Sequence, residues 1–69
     1  MNESIDDIRL KAWIYSGVEL ELEMVETQYK LVIAGGTDKT FYQNEIQIQQ
    51  RKLELVNKRI RELEQRVAA

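Results

Sequence analysis

The chain of 69 residues contains no cysteine, no histidine and no proline. Missing cysteine excludes disulfide crosslinks and thiolate nucleophiles, and missing histidine removes the commonest general base and transition-metal ligand. Without proline, nothing in the chain breaks a helix from within. Glycine is sparse: of three, two are adjacent at Gly35-Gly36, so only one place has the composition of a turn. No run approaches the roughly 18 apolar residues of a membrane span. The start, Met-Asn-Glu-Ser-Ile-Asp-Asp, is acidic where a signal peptide is basic. These absences lead us to expect a soluble, unprocessed, cytoplasmic chain with no membrane partner, no cofactor and no enzymatic activity. The lack of cysteine fits a reducing compartment.

Twelve acids and ten bases give a net charge of −2, which points away from nucleic acid as a partner. The charges are unevenly spread: residues 1–34 hold seven acids against Arg9, Lys11 and Lys30, whereas residues 35–69 hold seven bases against five acids. A single domain of this length is below the size at which one core is comfortable unaided, and with disulfides and histidine or cysteine metal sites gone, oligomerisation remains.

What the chain does have is helical periodicity. Ser4, with Asp7 three residues on, reads as the N-cap of a first helix over about residues 5–34, whose first turn is acidic. Gly35-Gly36 supplies its stop and opens a turn over about residues 35–39. A second helix begins at Thr37, Asp38 or Thr40 and is taken over about residues 40–68, with Thr40 and Gln43 as a candidate capping box. The stretch Val18-Glu-Leu-Glu-Leu-Glu-Met24 also alternates at period two, so a β-hairpin followed by one helix is the rival reading. Glu, Leu and Met are strong helix formers, and no turn residue interrupts the region, which favours the helix.

Two separate heptad seams run along the first helix. Ile8, Ala12, Tyr15, Val18, Leu22, Val25, Tyr29 and Val32 form one; Leu10, Trp13, Gly17, Leu20, Met24, Thr27 and Leu31 form the other, roughly 140° round the helix. The second helix carries one seam: Tyr42, Ile46, Gln49, Leu53, Val56, Ile60, Leu63 and Val67. Paired antiparallel, the first seam meets it from Val32 with Tyr42 to Ile8 with Val67, at index sums of 74 or 75 throughout. The fold class that follows is all-α, a two-helix antiparallel hairpin spanning residues 1–69. The seam left over, Leu10, Trp13, Gly17, Leu20, Met24 and Leu31, becomes the expected self-association surface, with Gly17 admitting a close backbone approach and Trp13 as anchor. The simplest assembly is a homodimer forming a four-helix bundle with the second helix outermost.

Phe41, Ile48 and Leu55, seven apart, make a thinner flank that can receive a further protein. Gln49, the only amide in the second helix's seam, either reaches water or fixes register from a buried position. Glu19, Glu23 and Glu26 read as a solvated helix face, and Lys39-Thr40 as part of the turn and cap rather than a phosphate loop. Pairs such as Glu54 with Lys58 and Glu62 with Arg66 have the order and spacing of stabilising surface ion pairs. The functional expectation is a non-enzymatic oligomer acting through protein contacts in an assembly, adaptor or inhibitory role. The alternative is a ligand-sequestering oligomer, of the kind that viruses and mobile elements encode, holding a nucleotide-like molecule at a subunit boundary. Arg9, Lys11, Trp13, Tyr15, Lys39 and Tyr42 would supply its stacking and phosphate contacts.

Overall fold

In the computed structural model, which describes residues 3–68, the chain is two helices, α1 (Ile5–Ile33) and α2 (Thr37–Ala68). Met1, Asn2 and Ala69, the ends of the expected 1–69 domain, lie outside the described residues. Val18–Met24 is helical and no strand occurs among the described residues, so the β-hairpin alternative is overturned.

α1 begins where its capping chemistry places it. Ser4 is extended at φ −71° and ψ 163°, its Oγ accepts the Asp7 amide hydrogen at 3.1 Å, and its own amide donates to the Asp7 carboxylate at 3.2 Å. Two orphan amide groups are thereby satisfied reciprocally. The helix stops at Ala34, which is extended, and Gly36 at φ 64° takes the left-handed conformation that reverses the chain. This reversal needs only residues 34–36. Thr37, Asp38 and Lys39 are therefore helical, and α2 starts three residues before Thr40, with the Asp38 carboxylate at the positive end of its dipole.

The helices lie side by side in a body 54 × 19 × 12 Å, one helix diameter thick. On α2 the inward residues are those of its single seam as far as Leu63, with Gln49, Val56 and Leu63 buried and Tyr42, Ile46, Leu53 and Ile60 half-buried, whereas Val67 at the seam's end is exposed. On α1 the structure reverses the expected assignment of faces. Leu10, Trp13, Gly17, Leu20, Met24, Thr27 and Leu31 are buried or half-buried, whereas Ile8, Ala12, Tyr15, Val18, Leu22, Val25, Tyr29 and Val32 are exposed. The surface expected to be free for self-association is thus the one turned toward α2.

The axial register changes little. Gly17 sits against Val56 and Thr27 against Gln49, index sums of 73 and 76 beside the expected 74 or 75. What differs is a rotation of α1 about its own axis by roughly 140°. Three physical reasons favour the observed face. Gly17 has no side chain to hold α2 off: a Cβ there would lie 3.2 Å from Val56 Cγ1. Thr27 meets Gln49 and accepts from its Nε2, which, facing Val25, would find no side-chain acceptor. Trp13, the largest side chain of α1, is half-buried on this face instead of standing in water.

Candidate functional site

The outer face of α1 is a continuous apolar stripe. Ile8, Tyr15, Val18, Leu22, Val25, Tyr29 and Val32 are all more than half exposed, from 51% at Val18 to 82% at Val32. Each shows on the order of 100 Å², so the stripe presents roughly 700 Å², against the 300–600 Å² of the largest apolar patch on a typical monomer. It exists because α1 carries two seams and the one-layer hairpin covers one.

The whole surface reports the same deficit. The chain exposes 5609 Å², whereas a folded monomer of its 8.2 kDa would expose about 4,500 Å². Among the described residues the buried apolar side chains are Val56 and Leu63, the latter fully enclosed. Such a core is thin for a chain that has neither disulfide nor histidine to help it.

Exposed glutamates flank the stripe, Glu21 along one side beside Ile14, and Glu19 and Glu26 along the other between Ile5 and Ile33. Glu19 acts on the stripe directly. By hydrogen bonding and charge it raises the Tyr15 phenol above its usual pKa. Lys11, the one cation on the stripe's line, is bound by Glu3, which raises its pKa through hydrogen bonding and charge.

The remaining candidates are dispersed. Trp13 and Leu20 line an open cleft of about 410 Å³ between the helices, with Leu55 and Val56 opposite and Glu19, Glu23 and Lys52 around it. Trp13 therefore serves the hairpin's own packing. Phe41, Ile48 and Leu55 lie along α2 and are exposed, and Phe41 stacks edge-on against Tyr42 with ring centroids 5.4 Å apart. Of the ligand candidates, Arg9, Lys11, Trp13 and Tyr15 occupy the open end of the hairpin. Tyr42 lines a small cleft at the tip with Lys30 and Asp38, and Lys39 is its helical neighbour. Tyr42 is level with residues 31–34 of α1, at least about 24 Å along the helix from Tyr15, so one chain does not bring the six together. No group of three or more acidic side chains able to hold a metal ion occurs among the described residues. No helix among them is long and apolar enough to cross a membrane. The ion pairs among them are Lys11 with Glu3 and Arg59 with Glu62, so Glu62 pairs one turn back and not forward to Arg66.

A polar contact that the sequence pattern only half indicated lies in the buried seam. Gln49 Nε2 donates to Thr27 Oγ1 at 2.9 Å, and Thr27 donates onward to the Glu23 carbonyl at 2.9 Å. Gln49 Oε1 is buried without a partner. Thr27 stands in its seam as the only hydroxyl, and that was the available signal.

No family model, curated protein or solved structure matches the chain.

Proposed function

We propose that the protein is a non-enzymatic, self-associating helical hairpin that acts through protein contacts, and that the outer stripe of α1 is the surface through which it associates. The observation that carries this is the stripe itself, seven apolar side chains on one face of a helix whose other face already packs on α2. Its roughly 700 Å² is close to the 800 Å² per partner of a standard stable interface. Covering it would remove most of the chain's surplus surface over a folded monomer of its size. Helix α1 would then be central, paired on one side with α2 and on the other with the second copy, and α2 outermost.

The test is the mass of the native chain in solution, by size exclusion with light scattering, together with its thermal midpoint at several concentrations. Self-association gives twice the 8.2 kDa chain mass and a midpoint that rises with concentration. A single-chain mass across the micromolar range, with a midpoint independent of concentration, overturns the proposal.

A further inference from the structure

Along the exposed stripe the side chains fall into two rows. Val18, Val25 and Val32 recur every seven residues in one row, which Lys11 continues toward the N-terminus; Ile8, Tyr15, Leu22 and Tyr29 recur every seven in the other. One row is small and β-branched. The other is larger.

Two α1 helices meeting along this stripe can run parallel or antiparallel, and the rows separate the two arrangements. In a parallel, in-register pair each row faces itself. That sets Tyr15 on Tyr15 and Tyr29 on Tyr29, leaves thin layers of valine on valine between them, and places the Lys11 ammonium groups opposite one another. In an antiparallel pair each row faces the other. Val32 then meets Ile8 of the second copy, Val25 meets Tyr15, Val18 meets Leu22, and Lys11 meets Tyr29, at a constant index sum of 40. Every valine layer is filled by a larger residue, as close packing at core density requires. The Lys11 pair is split to opposite ends, where each stem lies against a phenol ring and its ammonium stays with Glu3.

We infer that the partner of the α1 stripe is a second copy of the chain in antiparallel orientation, with the two-fold axis crossing α1 near the level of residue 20 and the hairpin tips pointing in opposite directions. This rests on the self-association proposed above. It adds what that reading leaves open, the register and polarity of the pairing.

The chain has no cysteine, so single introduced thiols report on proximity without background. Two singly substituted chains, Ile8→Cys and Val32→Cys, are oxidised separately and as a mixture. The antiparallel register brings these positions together across the axis, and a parallel register holds them about 36 Å apart, 24 residues of helix rise. The expected result is a disulfide heterodimer from the mixture in large excess over either homodimer. Tyr15→Cys with Val25→Cys repeats the test nearer the axis, and each variant's mass and helical circular dichroism show that it still folds and associates. Crosslinking of each variant with itself, and none between the two, keeps the dimer but overturns its orientation. A dimeric mass with no crosslink in either pair puts the contact elsewhere and overturns the inference. A monomeric native chain overturns the self-association beneath it.

Discussion

Gln49 of α2 donates a 2.9 Å hydrogen bond to Thr27 of α1, and the pair sits buried in a seam that is otherwise apolar apart from Gly17. An apolar heptad seam tolerates sliding by one repeat, because each layer resembles the next. A buried amide and hydroxyl do not tolerate it, since sliding would strand both away from water. The contact therefore selects both the register and the face of α1 that meets α2.

This makes the two halves of the pair unequal. Thr27→Val removes the sole partner of the Gln49 amide and leaves it buried and unpaired, which should destabilise the hairpin by about 1–3 kcal/mol. Gln49→Leu removes both the amide and its unpartnered Oε1, while Thr27 keeps its bond to the Glu23 carbonyl. That variant should be close to neutral or stabilised. Urea unfolding of the two side by side tests the account; equal losses would contradict it.

Gly17 faces Val56, and its substitution series should split by size. Alanine gains about 1 kcal/mol of helix propensity but places a methyl 3.2 Å from Val56 Cγ1, so Gly17→Ala should lie within about 1 kcal/mol of the native chain. Gly17→Leu must push the helices apart and should lose about 1–3 kcal/mol. Were Gly17→Leu harmless to unfolding but able to dissociate the oligomer, Gly17 would belong to the outer surface instead.

The glutamates that flank the middle of the stripe imply a salt response. Pairing two stripes gathers Glu19 and Glu21 of both copies near the axis, where like charges repel. Raising ionic strength from about 0.01 to 1 M shortens the screening length from roughly 30 to 3 Å, so association should tighten with sodium chloride. Glu21→Gln should tighten it at low salt and flatten the response. Sedimentation equilibrium reads both, and weakening with added salt would contradict the arrangement.

How much of this was legible beforehand follows from particular residues. Ser4 with Asp7 marked the start of α1, Gly35-Gly36 marked its end, and the α2 seam from Tyr42 to Leu63 marked the inward face of α2. These are local signals, readable from spacing alone. The face of α1 was not local. Both of its seams fit the same constant-sum register, so register arithmetic could not choose between them. The choice lay in matching across the hairpin: the bare Gly17 opposite Val56, and Thr27 opposite Gln49. Reading Gly17 as a contact point was sound, but its partner is α2. For the same reason Trp13, which as an exposed anchor would have marked the outer surface, belongs to the hairpin's interior seam. Of the three starts open to α2, Thr37, Asp38 and Thr40, the earliest is the observed one, because a left-handed Gly36 reverses the chain without drawing on the polar run Thr37-Asp38-Lys39.

The measurement that bears most directly on the central claim compares the masses of the native chain, Leu22→Glu and Leu20→Glu by sedimentation, with helicity followed by circular dichroism. Leu22 lies on the outer stripe, and Leu20, two residues away, lies in the seam facing α2. The account predicts a native dimer, a Leu22→Glu chain that falls to the 8.2 kDa single-chain mass and loses helicity only as far as dissociation exposes its thin core, and a Leu20→Glu chain whose hairpin itself melts. A Leu22→Glu chain that keeps the native dimer mass, or a Leu20→Glu chain that dissociates while its hairpin remains folded, would contradict it.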